Sequence, residues 1–164
     1  MPTPDTTLTG RAEVIDAWRQ ALLALDPAPT ARPAVLTLVD ADFSDWPLNE
    51  PAVLDALARW LRPPGRQWRL MALDFAATER AHPRLARWRR EVAHVLWCGS
   101  PVPPVSGRWP SWLLAPGVAV ERLDGPLWRG RRMSQAVDLV PMGREADALA
   151  QRCEAAWPPT TLGL

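Results

Sequence analysis

The 164-residue sequence predicts a single α/β domain with a largely parallel central sheet and helices on both faces. Three observations carry that prediction. Apolar residues make up 48% of the chain and charged residues 23%, the balance of a globular protein that buries one core. Short apolar runs, too continuous for strands with one wet face, alternate with stretches of helical period. The breaks between them are brief, and strand, helix, strand, helix, strand in that order calls for parallel crossover units.

Each element has its own signal. Residues 1–10 hold two prolines and four threonines without an apolar period, which predicts a loose arm ahead of a domain over 11–164. From Arg11 to Leu25 the residues Val14, Trp18, Leu22 and Leu25 recur at helical spacing until Asp26-Pro27-Ala28-Pro29 breaks the pattern. Ala34 to Val39 reads as a buried strand ending at Asp40. Asn49 and Pro51 open a second helix, with Val53, Leu54, Leu57, Trp60 and Leu61 on one face and Pro63-Pro64-Gly65 as its stop. Trp68 to Phe75 is the second strand, His82-Pro83 starts a helix through about Glu91, and Ala93 to Trp97 is the third strand. Gly99 to Gly117, with five prolines and three glycines, predicts a long loop, a feature that in compact domains usually carries function. Val118 to Leu123 reads as a strand, Leu127 to Val140 is ambiguous, and Arg144 to Trp157 reads as the last helix.

Composition closes several function classes. All 19 basic residues are arginine, so no lysine exists for a phosphate-binding Walker loop or for Schiff-base chemistry. His82, His94, Cys98 and Cys153 lack the spacing of a zinc site and read as ordinary histidines and buried thiols, which leaves no cofactor implied. Cys98 and Ser100 follow a strand but sit in no nucleophile elbow. No apolar run reaches membrane-span length, no signal segment opens the sequence, and two cysteines cannot staple a fold; the expectation is a cytoplasmic protein without membrane contact. The scarcity of Lys, Tyr, Asn and Ile, all with AT-rich codons, matches a high-GC bacterial genome, so arginine content alone proves little.

Charge is distributed unevenly along the chain. The first 58 residues carry three arginines against nine acids, residues 59–90 carry nine against two, and the remainder carries seven against seven. Within the basic stretch, the helical repeat sets Arg87 and Arg90 opposite Leu85 and Trp88, with Arg84 on the flank. Arg80, Arg84, Arg87 and Arg90 are therefore candidate binding residues, since guanidinium groups hold phosphates and carboxylates in bidentate geometry. Trp109 and Trp112 in the Gly99–Gly117 loop join them as candidate contact residues, because exposed indoles anchor interfaces and stack on bases.

A different chemistry is written in the acids. Asp40, Asp42 and Asp74 fall at the carboxyl ends of the first two strands, the edge where open α/β sheets bind ligands and metals. The run Leu36-Thr37-Leu38-Val39-Asp40-Ala41-Asp42-Phe43-Ser44 resembles the first motif of the haloacid-dehalogenase superfamily. That resemblance implies a magnesium-dependent phosphatase-like hydrolase with Asp40 as nucleophile, Asp42 as acid/base and Asp74 nearby. The family's later lysine or arginine clamp has no lysine to supply it, and its acidic pair is missing; acids after a strand also serve as turn and cap residues.

The order of elements from about Ala34 to Trp157 also resembles one half of a phospholipase-D-like fold, in particular short bacterial versions without the catalytic motif. The strand Trp68 to Asp74, the segment His82 to Glu91 and the closing segment Ala146 to Trp157 carry this resemblance. His82-Pro83-Arg84 keeps the spacing of the family's His-x-Lys with arginine substituted, and Arg89 stands where its aspartate would follow. The resemblance implies a scaffold without catalytic machinery. The sequence reading is thus a non-catalytic binding or accessory protein that contacts a protein partner, or secondarily nucleic acid, through Arg80–Arg90 and Trp109–Trp112. The phosphatase-like hydrolase is the alternative.

Overall fold

A computed structural model describes residues 5–103, 105 and 107–159. In chain order its elements are β1 (Thr6–Thr9), α1 (Arg11–Leu23), β2 (Ala34–Val39), α2 (Pro51–Leu61), β3 (Arg66–Met71), α3 (Phe75–Ala81), α4 (Pro83–Trp88), β4 (Leu96–Pro101), β5 (Trp112–Ala115), β6 (Val118–Asp124), β7 (Arg129–Met133), α5 (Ala136–Gln151) and β8 (Cys153–Ala155). The strands form one sheet in the order β1-β7-β6-β5-β2-β3-β4-β8.

The sheet is mixed and mostly antiparallel, which corrects the largely parallel sheet read from the sequence. Only β2–β3 and β3–β4 are parallel, and these are the three strands of the anticipated strand-helix-strand-helix-strand unit. The pairs β2–β5, β5–β6, β6–β7, β1–β7 and β4–β8 are antiparallel. Connection length explains the difference. Pro116-Gly117 joins β5 to β6 as a two-residue turn, with Gly117 at φ 81°, and a turn that short returns the chain antiparallel. The strand expected over Val118–Leu123 is β6, but residues 112–115 belong to β5, so the loop expected over 99–117 is confined to the stretch between Pro101 and Trp112. Residues 104 and 106 of that stretch lie outside the described residues.

Both chain ends extend the sheet. Thr6–Thr9, read as part of a loose arm, pairs with β7 as an edge strand, while residues 1–4 lie outside the described residues. The closing helix starts at Ala136 rather than Arg144 and stops at Gln151, so Cys153 lies in β8 and Trp157 beyond it. The second strand ends at Met71 rather than Phe75, and Asp74 caps a short helix, α3, over a stretch for which the sequence predicts no helix.

Two cores lie on opposite sides of the sheet. One joins Val14, Trp18 and Leu22 of α1 and Val53, Leu57 and Trp60 of α2 to Leu36, Leu38, Trp68, Leu70, Leu113 and Val120, with Leu85 of α4 in the same cluster. The other places Met142, Ala146 and Leu149 of α5 against Val39, Met71, Trp112, Ala119 and Met133. Alternation along β5 and β6 assigns the sides: Leu113 pairs with Val120 in the first core, and Leu114 with Ala119 toward the second.

Candidate functional site

Asp40 sits where β2 ends, 4% exposed, and both of its carboxylate oxygens are occupied. Oδ2 accepts the backbone N–H of Phe43 at 2.9 Å and of Asp42 at 3.2 Å. Oδ1 accepts the Ser111 hydroxyl at 2.6 Å and lies 3.5 Å from Arg122 Nη2. The Asp40 carbonyl accepts the Trp109 indole N–H at 3.0 Å. A nucleophilic carboxylate has to present a lone pair to substrate. Asp40 instead presents its lone pairs to the loop before β5, to β6 and to its own turn, which makes it the clamp that holds those segments together.

The other two acids are occupied locally as well. Asp42 Oδ1 accepts both the N–H and the hydroxyl of Ser44, and Asp74 accepts the Ala77 N–H as the cap of α3. Among the described residues no three His, Cys, Asp or Glu side chains stand together as a metal site would require. Phe43, between these acids, adopts φ 56°, an unusual backbone for a bulky residue. Its amide is tied to Asp40, and its carbonyl lies 2.6 Å from His82 Nε2. A carbonyl only accepts, so Nε2 carries the proton and Nδ1 is the bare nitrogen, buried without a partner. Burial holds the His82 pKa below its usual value, against the opposing hydrogen bond to Phe43 and the charge of Asp42.

The arginine segment is of a different kind. Arg80 lies in the last turn of α3, Arg84 and Arg87 lie on α4, and Arg90 follows in the next turn; all four are exposed, while Leu85 is buried in the core. Arg84 is fixed by Asn49, whose side-chain oxygen accepts its backbone N–H at 2.8 Å and whose carbonyl accepts Nη1 at 3.3 Å. Arg80, Arg87 and Arg90 have no hydrogen-bond or ion-pair partner among the described residues. Their neighbour Arg89 serves the fold: it is 5% exposed, donates to the carbonyls of Trp157 and Pro158, and lies 4.2 Å above the Trp157 ring.

The two tryptophans do not join this surface. Trp112 is 1% exposed and belongs to the core under α5, on the sheet face opposite α4. Trp109 is half-buried against that same core with its N–H given to Asp40. No tryptophan in the chain is exposed; Trp46 and Trp128 pack on Trp18. Cys98 is buried, and burial pushes its thiol up to about 12, far from a reactive thiolate at neutral pH. Residue spacing could not reveal Ser111 or Arg122 as partners of Asp40, because Ser111 is 71 residues away in the chain and strand pairing alone brings them together.

No protein-family model matches the chain. No curated protein matches it either. Among solved structures it is similar to TrmBL2, an archaeal chromatin protein whose structure shows a novel mode of DNA binding, with a TM-score of 0.62 at 10% identity. The match covers 94% of this chain and 54% of that one, so this chain spans about half the length of TrmBL2. At this identity the likeness bears on the fold alone. Among the described residues no helix is long and apolar enough to cross a membrane.

Proposed function

We propose that the protein is a non-catalytic binding domain that presents the arginine face of α3 and α4 to the phosphates of a nucleic acid. The observation that carries this reading is the free state of Arg80, Arg87 and Arg90. Five other arginines are held by acids, in Arg11–Asp45, Arg19–Glu50, Arg69–Asp147, Arg122–Asp40 and Arg131–Glu121. Arg59, Arg62 and Arg144, among others, are also exposed without an acid partner among the described residues, and what sets Arg80, Arg87 and Arg90 apart is their clustering with Arg84 on and beside two short consecutive helices. The side chains of Arg80, Arg87 and Arg90 are exposed and hold no partner among the described residues, and Arg84 beside them is oriented by Asn49. Exposed guanidinium groups bind phosphates in bidentate geometry, at the expense of condensed counterions. Similarity in fold to a DNA-binding chromatin protein supports nucleic acid ahead of an acidic protein as the partner.

The test is fluorescence anisotropy of labelled duplex and single-stranded DNA at low salt, for the parent and for Arg80→Glu/Arg87→Glu/Arg90→Glu. The reading predicts binding by the parent, weakened about tenfold or more in the triple variant, with an unchanged melting temperature. Equal affinities would remove the face from the interface. No binding by the parent would overturn nucleic acid as the partner, and a pull-down against acidic proteins would follow.

A further inference from the structure

We infer that the amino edge of the parallel strands holds a second, separate site, built for a small amphipathic carboxylate. A cleft of 670 Å³ opens there between the end of α1, the segment leading into β2, and the β5–β6 turn. Its volume falls in the usual range for ligand pockets. The walls are largely small apolar side chains, among them Ala21, Leu25, Ala34, Ala115 and Val118, with the Trp60 ring beside them. Small side chains leave the space open, and an apolar lining favours an apolar body in it.

Arg66 supplies the specificity. It is 4% exposed and lines the cleft, with its guanidinium 4.9 Å from the Trp60 ring centroid. Its Nη1 donates to the carbonyls of Asp26 and Trp60 at 3.2 and 3.3 Å, and Nη2 donates to that of Ala28. Nε is buried without a partner. No carboxylate pairs with Arg66 among the described residues, in contrast to the half-buried Arg122, which has Asp40. Carbonyl dipoles solvate a cation without neutralising it, and a buried cation lacking a counter-charge is costly. A ligand carboxylate in the cleft would bring the missing charge. Arg32 adds a second positive group at the rim; Asp26, the acid there, turns its carboxylate to the Ala28 N–H at 2.9 Å.

Isothermal titration calorimetry of the full chain with octanoate, octanol and acetate tests the site. Hydrogen bonding to a charged group predicts octanoate binding about tenfold tighter than octanol, with acetate, which lacks the apolar body, weaker than octanoate. Arg66→Gln should bring octanoate down to the level of octanol. Ala24→Trp, at an exposed position on the rim that leaves Arg66 untouched, should weaken both. Octanol binding as tightly as octanoate, no octanoate binding, or octanoate binding unaffected by Ala24→Trp would each overturn the assignment. The last variant and the parent titrations decide the matter even if Arg66→Gln does not fold. DNA binding by α3 and α4 plays no part in these outcomes.

Discussion

The carboxyl edge of β2 and the outer face of α3–α4 are both dense in charge, yet their side chains are used in opposite ways. At the strand edge every oxygen of the Asp40 side chain is engaged, and Asp42, Asp74 and His82 are all bound to nearby backbone or hydroxyl groups. On and just after the helices, the side chains of Arg80, Arg87 and Arg90 reach solvent with no partner among the described residues. A charged group that holds the fold together has little interaction left for a ligand, whereas one that touches nothing has all of it. The contrast teaches that acids at strand ends identify a binding edge only when their lone pairs are free, which in this fold the returning β5–β6 hairpin prevents.

The contrast predicts where substitutions harm stability. Arg122→Ala should cost the most, about 3 kcal/mol in urea denaturation, because it leaves Asp40 as a buried, unpaired charge. Ser111→Ala removes a hydrogen bond to the same carboxylate and should cost about 2 kcal/mol by the same measurement. Asp74→Ala, which removes only the exposed cap of α3, should cost about 1 kcal/mol. A near-zero loss in Arg122→Ala would break the comparison, since the strand edge would then not depend on its charges.

Acidity sharpens it further. Because burial lowers the pKa of His82 in the folded state, the unfolded chain binds a proton first as pH falls. Stability contributed by the neutral imidazole is fully present above the unfolded histidine pKa of about 6.5 and declines below it, until the folded-state pKa is passed. Urea titrations between about pH 7 and pH 5 should therefore show a smaller loss in His82→Gln than in the parent. An equal loss in both would show that the ring is not held neutral against Phe43.

Much of the first half of the fold was legible because its signals are local. Pro51 at the start of α2 and its apolar period, the continuous run Ala34–Val39, and the amphipathic face of α1 each specify an element within a dozen residues. The second half turns on pairing. Nothing local says that Trp112–Ala115 returns to lie antiparallel to β2, and that one pairing changes the sheet from parallel to mixed and draws Trp109 and Trp112 inward. Exposure of the arginines was readable from the helical repeat around Leu85. The structural roles of Arg66, Arg89 and Arg122 were not, since a lysine-free sequence marks structural and free arginines alike.

The most direct measurement is the salt dependence of DNA binding, followed by anisotropy between about 50 and 200 mM salt for the parent and for Arg80→Glu/Arg87→Glu/Arg90→Glu. If the α3–α4 face reads phosphates, affinity of the parent falls steeply over that range and its log–log slope is steeper than that of the triple variant by about three. Identical slopes, or no binding by the parent at low salt, would contradict the assignment of this face to nucleic acid.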